Sequence, residues 1–239
     1  MEYSIQPLGD HAAIIELAKD PSPEVLNTIS MVASALDAIS PEWMIEYVPA
    51  FTTISVFYRP EKLPRAEPAS PYDMVCSYLH SMLHNIKADS PSPPRVVEIP
   101  VCYGGKFGPD LPFVASYNGI SEEEVVQIHS NGEYLVYMLG FAPGFPYIWG
   151  MPKVIAAPRK DSPRQQIPER SIGIAGQQTG IYSIKTPGGW RLIGRTPVDL
   201  FVPEKSPPTL LKPGDKIKFK AIGHDEYLEM RRLNHAEHS

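Results

Sequence analysis

The stretch SIGIAGQQTGIYSIKTPGGWRLIGRTPVDLF, residues 171–201, carries short apolar runs around Ile172, Ile181 to Ile184, Arg191 to Ile193 and Val198 to Phe201, with glycine or proline between them. Runs this short are strands rather than helices, and strands at close spacing with Gly/Pro turns predict a small barrel or sandwich. Working outward, Tyr134 to Leu139 and Lys216 to Lys220 add strands, and Val96 to Val101 opens the same half of the chain. Between them two short helices are predicted, Pro109 to Tyr117 and Ser121 to Ser130. Ser121 with Glu124 has the spacing of a capping box, and Glu122 to Glu124 place acid where the helix dipole favours it. A charged helix with a loose tail is expected over the last residues.

Upstream the pattern changes. Tyr3 to Leu8, Ala13 to Leu17, Ile45 to Val48 and Thr53 to Tyr58 read as strands by alternation and β-branched content. Val25, Ile29, Val32 and Leu36 recur at helical spacing behind Ser22-Pro23, a cap with proline at the first helical position. A second helix begins at Pro71, with Met74, Tyr78, Met82 and Ile86 on one stripe. The order strand–strand–helix–strand–strand–helix predicts an α+β sandwich of ferredoxin-like, split βαβ type over 1–88. Residues 89–95, rich in Pro and Ser, read as a linker, and 96–239 as the β-rich domain.

With 239 residues, 43% hydrophobic and 21% charged, the chain can bury substantial cores. A net charge of −5 and no Lys/Arg run make nucleic acid a poor partner. No apolar run reaches bilayer length and the N-terminus lacks a secretion pattern, so cytoplasmic residence is expected. Two isolated cysteines, Cys76 and Cys102, form neither a disulfide framework nor a zinc site, and no metal site is expected. The 27 prolines fall mostly between apolar runs, as rigid turns would.

Gly140 to Gly150 (GFAPGFPYIWG) packs four aromatics and two prolines into eleven residues. Proline cannot donate to a ladder, so this stretch is expected to leave strand and helix alone. It is either a buried turn closing one end of the barrel, or the rigid apolar wall of a pocket, or both. Arg159 and Arg164 each follow a proline and present planar forks suited to carboxylate or phosphate; the alternative is pairing with local acids. Gly173 to Gly180 lacks the Gly-Lys-Ser/Thr ending of a phosphate loop, so its glycines are read as turn and bulge residues. Thr186 to Trp190 reads as a further hairpin, with Trp190 capping the core or lining a cleft, and Gln177 could supply an amide. His129, near a helix end, is either structural or a proton-transfer group. No nucleophile elbow is present.

At these loops the chain resembles a known family. EIPVCYGGKFGPDL (98–111), HSNGEYLVYMLGFAPGFPYIWGMP (129–152), the run from Ala157 to Phe201, and PPTLLKPGDKIKF (207–219) carry the resemblance, with GDHAAIIEL (9–17) and VPAFTTISVFY (48–58). All are similar to the allophanate hydrolase subunit 1 and Kip inhibitor family, over nearly the whole chain. The resemblance implies a cyclophilin-like β-barrel behind the α+β domain. It implies one component of an ATP-dependent 5-oxoprolinase, which opens 5-oxo-L-proline to L-glutamate with a subunit 2/C-type partner and an A-type subunit. ATP would be held mainly outside this chain. The alternative it implies is inhibition of a sporulation histidine kinase through its dimerisation and phosphotransfer helices. Carried over, the binding face comprises Phe141, Pro143, Gly144, Phe145, Tyr147, Gln177, Pro187, Gly188, Gly189 and Trp190, with His129, Arg159 and Arg164 as catalytic candidates. Ile148-Trp149 departs from the smaller pair common in relatives.

Overall fold

The computed structural model describes residues 2–64, 69–86 and 94–236. Contacts cluster into two compact units, Met1–Pro93 and Pro94–Ser239. Most of the expected linker, 89–93, lies outside the described residues.

The first unit runs β1 (Ser4–Pro7), β2 (Ala12–Glu16), α1 (Pro23–Ile39), β3 (Met44–Pro49), β4 (Thr53–Tyr58) and α2 (Pro71–Asn85), with a 3-10 turn at Pro60–Lys62. The sheet order is β1-β2-β4-β3, antiparallel throughout. Alternation places Ala13, Ile15, Ile54, Val56 and Tyr58 on one face, where they meet Ile29, Val32 and Leu36 of α1 and Val75, Leu79 and Leu83 of α2. The Ser22 hydroxyl caps α1 by accepting from the Val25 N–H, and Ser70 with Asp73 forms a full capping box on α2. The expected α2 stripe is one residue out of phase. The buried row is Val75, Leu79 and Leu83, while Tyr78 is half-exposed and stands edge-on to Trp43. This helix has two adjacent apolar rows, and spacing alone does not choose the one that meets the sheet.

The second unit is built on a closed seven-stranded barrel. Its strands are β5 (Val96–Tyr103), β6 (Tyr134–Leu139), β7 (Pro146–Trp149), β9 (Ser171–Ala175), β10 (Gln178–Ile181), β12 (Arg191–Arg195) and β13 (Lys216–Ala221), in the order β10-β7-β6-β13-β5-β12-β9. Only the β5–β13 pairing is parallel. Helices α3 (Leu111–Asn118) and α4 (Glu122–Asn131) follow β5, α5 (His224–Ala236) follows β13, and β8 (Arg164–Ile167) pairs with β11 (Thr186–Gly188) as a separate ribbon. The Ser121/Glu124 capping box on α4 is present with both bonds.

Three expectations are corrected by this topology. The aromatic stretch does not stay outside the ladder, because Pro146 is the first residue of β7 and pairs with Leu139, a place where a missing N–H costs little. Val198 to Phe201 is no strand: only Phe201 bridges, to Thr209. There Asp199 turns aside to accept from Arg170 and Arg231 at 2.7 Å each. Thr186 to Trp190 is not a hairpin in itself, since Thr186–Gly188 is a strand whose partner is β8.

Candidate functional site

The aromatic bend is shaped by one turn. Phe145 N–H donates to the Ala142 carbonyl at 3.0 Å, with Pro143 and Gly144 between them and Gly144 at φ +71°. Pro then Gly at the central positions is the type II pattern, in which the second residue needs positive φ. The Ser183 hydroxyl fixes the turn by donating to the Pro143 carbonyl at 2.5 Å. Phe141 also has positive φ, +67°, costly for a bulky side chain, and its ring is 62% exposed. The turn drives Phe145 inward. Its ring lies 5.3 Å from Phe141 and from Tyr147, 5.4 Å from Tyr182 and 5.7 Å from Trp190, all edge-on.

What lets these rings stack against a barrel wall is a pair of glycines. Gly173 of β9 and Gly180 of β10 are cross-strand partners. A Cβ on Gly180 would lie 2.9 Å from Trp190 Cζ3 and 3.0 Å from Phe145 Cζ, and one on Gly173 3.0 Å from Trp190 Cβ. These glycines form a bare floor and are not turn residues; among them only Gly176, at φ +58°, serves the tight β9–β10 turn. Gln177 is exposed at the tip of that turn.

The arginines border the same cluster. Arg164 is bound to buried Asp110 by Nη2 to Oδ1 at 2.9 Å and by Nη1 to Oδ2 at 2.9 Å. Asp110 also accepts from the Leu192 N–H at 2.7 Å. Arg159 is exposed. Burial pushes the Tyr182 phenol up to about 12, against the Trp190 N–H, Arg159 and Arg164, which favour its anion. The Arg164 guanidinium also reaches the Trp190 carbonyl at 3.5 Å, and the Arg159 loop is tied beside it where the Lys160 N–H donates to the Gly189 carbonyl at 2.7 Å. Pro187 is exposed, while Gly188 and Gly189 are half-buried. A Cβ on Gly188 would meet the Tyr182 hydroxyl at 2.5 Å and Ile167 Cδ1 at 2.8 Å, whereas on Gly189 the nearest atom is 3.6 Å away. Gly188→Ala is thus expected to cost roughly 1–3 kcal/mol by overpacking and Gly189→Ala almost nothing, read as melting temperatures. Equal effects would contradict this placement of Tyr182.

His129 stands apart. It is fully buried, with Nδ1 2.8 Å from the Tyr103 hydroxyl and Nε2 3.0 Å from Thr179 Oγ1. Thr179 donates to the Gly173 carbonyl, so Nε2 carries the proton and Nδ1 accepts from Tyr103. Thr179 and Gly180 point to opposite faces of β10, which puts the strand between this ring and the aromatic cluster. Burial pulls the imidazole pKa down to about 3. Fully buried and hydrogen-bonded at both nitrogens, the ring has the geometry of the structural alternative. Because the folded ring resists the proton that the unfolded chain takes up below about 6.5, stability is full above that pH and falls toward pH 3, by on the order of 5 kcal/mol. Melting temperatures of wild type and His129→Gln should converge as pH drops from 7 to 4. Parallel curves would contradict it.

The sequence does not single out Asp110 or Tyr182, and it assigns Gly173 and Gly180 to turns and bulges. The one available signal was the i, i+2 alternation of Gly180 and Tyr182, which puts both on one face. The first unit has a cleft of about 420 Å³ between α1 and α2, and the second has one of about 450 Å³ lined by Arg95, Lys205, Thr209 and Asn234. Among the described residues no three His, Cys, Asp or Glu side chains converge as metal ligands, and no helix is long and apolar enough to cross a membrane.

Among known proteins, the family described as carboxyltransferase domain, subdomain C and D, matches residues 3–211. The chain belongs to that family. A Bacillus subtilis protein named as the B-type subunit of 5-oxoprolinase is 49% identical over 230 residues, covering 95% of this chain and 96% of its own. This carboxyltransferase-family chain is also 44% identical to a conserved uncharacterised protein from Pyrococcus horikoshii, whose crystal structure it matches with a TM-score of 0.55 over 94% of this chain and 100% of that one. At 16% identity and a TM-score of 0.77, Kluyveromyces lactis urea amidolyase shares the fold, over 97% of this chain and 15% of that much longer one. The resemblance read from the motifs is borne out.

Proposed function

We propose that the chain is one component of an ATP-dependent 5-oxoprolinase converting 5-oxo-L-proline to L-glutamate, acting with a C-type partner and an A-type subunit in the cytoplasm. The observation that carries this is near-complete coverage at 49% identity of a relative named for that role. The aromatic–arginine face suits the task. A lactam acid offers an apolar ring and a carboxylate, and here rings and guanidiniums stand side by side. ATP supplies the activation that an unreactive amide requires. The chain's glycine-rich segment fits no phosphate cradle, since it is the β9–β10 hairpin rather than a loop leading into a helix, so ATP is assigned to another component of the assembly. What this chain contributes is orientation of the substrate and shielding of the reacting carbonyl from water once a second polypeptide covers Phe141 and Trp190.

We read the first unit as a ferredoxin-like sandwich whose edge strand comes first in the chain, and the barrel as cyclophilin-like. Domain limits of 1–88 and 96–239 belong to the same reading. Inhibition of a sporulation histidine kinase rests on the family resemblance alone, and no feature of the face selects it. Deleting the gene and growing cells on 5-oxoproline as sole nitrogen source tests the proposal. Failure to grow with accumulation of 5-oxoproline is expected; normal growth without accumulation would overturn it.

A further inference from the structure

The two arginines of the face have different surroundings, and the difference assigns them different work; this inference rests on the function proposed above. Arg164 is committed to the protein. Its guanidinium makes a two-point contact with Asp110, and Nη1 also reaches the Trp190 carbonyl at 3.5 Å. An arginine neutralised by a buried carboxylate has little charge left to offer a ligand.

Arg159 is the opposite case. Among the described residues no hydrogen bond or ion pair holds its guanidinium, yet its backbone is anchored on both sides. Ala157 and Gly176 exchange two hydrogen bonds, at 3.2 and 2.8 Å. The Pro158 carbonyl accepts from Arg191 Nε at 3.1 Å, and Lys160 N–H donates to the Gly189 carbonyl at 2.7 Å. Arg191 is itself held, its guanidinium carbon 3.5 Å from the centre of the Phe113 ring. The backbone under this free cation is already fixed, so capture of an anion has only the side chain to order. The loop lies between the Gly176-Gln177 turn and Gly189-Trp190, and Arg159 acts on the Tyr182 phenol at the back of the aromatic cluster. Phe145 is buried, so the open ring of the cluster is Phe141, on which a small apolar ring could seat.

We infer that Arg159 is the specificity-determining residue of this face, selecting lactams that bear a carboxylate over neutral ones, and that Arg164, held by Asp110, is a positioning residue bonded to the Trp190 carbonyl. The test uses the assembly co-purified from cells. It compares KM for 5-oxo-L-proline with the inhibition constant of 2-pyrrolidinone, the same ring without the carboxylate. Arg159→Ala should raise the first by about 10- to 100-fold, as loss of a charge-assisted contact does, and leave the second within about twofold. Arg159→Lys should recover part of the loss, because the charge returns without the fork. Lys160→Ala, the neighbouring cation, should change neither. Arg164→Lys should lower the melting temperature and shift tryptophan emission while keeping the ratio of the two constants. Equal weakening of both ligands by Arg159→Ala, or a fall in kcat alone, would overturn the inference, as would Lys160→Ala reproducing the effect. If the wild-type assembly does not consume 5-oxoproline at all, it is the proposed function that fails. Arg159 is exposed, so misfolding should not confound its variants, and unchanged melting temperatures check this.

Discussion

Asp110→Ala is expected to destabilise the chain by roughly 3 kcal/mol, an effect far above that of a surface ion pair. Asp110 is 6% exposed and sits directly before α3. It satisfies two partners at once, the Arg164 guanidinium and the Leu192 N–H in the barrel strand β12. Its own N–H donates to the Leu192 carbonyl at 2.9 Å, so the helix start and the strand are laced together by backbone and side chain. Removing the carboxylate strands one buried N–H and leaves a cation without its counter-charge. The Arg164 side chain is 24% exposed, and water can reach part of it, which keeps the expected loss at the low end of the range for broken buried pairs. Asp110→Asn retains an acceptor for Leu192 and should cost about half as much. Denaturant unfolding of the full chain reads both. A loss below about 1 kcal/mol for the alanine variant would show that the pair does not hold α3 to the barrel.

Trp190→Ala is the second large effect, roughly 3–5 kcal/mol from the cavity left behind. The indole is 7% exposed and rests on Gly173 and Gly180, with Phe145 at 5.7 Å and Tyr182 at 6.3 Å. No side chain from the glycine floor can move in to fill the space. The loss should be structural and functional together, because Phe145 and Tyr182 use the same ring as their wall. Consumption of 5-oxoproline by the co-purified assembly should fall at least about tenfold, in line with misplacement of a bound substrate. Trp190→Phe, which keeps an aromatic wall, should retain more of both. Full activity for Trp190→Ala would separate this cluster from the site.

Much of this was legible in residue order. The capping signals at Ser22 and Ser121 mark α1 and α4 because a helix start has to satisfy free N–H groups whatever lies around it. Strand β4 alternates cleanly because one face is buried, whereas the edge strands β1 and β3 do not. The α2 stripe failed where two apolar rows compete, and the choice belongs to the sheet. Pro146 was misread for a related reason: a proline is incompatible with a strand interior but tolerated at its first residue, and sequence does not show which it is. Arg164 and Asp110, separated by 54 positions, could not be paired without the fold. The open alternative for the arginines is thereby divided, with Arg164 paired to an acid and Arg159 exposed and paired to none among the described residues. For the glycine-rich segment, composition indicated turns, whereas Gly173 and Gly180 are absent side chains beneath a tryptophan, a long-range fact with no local signature.

Hydrogen exchange of the full chain, alone and within the assembly co-purified from cells, tests most directly the claim that the aromatic–arginine face is completed by a second polypeptide. Added protection is expected at 141–149, 158–164 and 186–191. Unchanged exchange in those segments, with protection gained elsewhere on the chain, would contradict it.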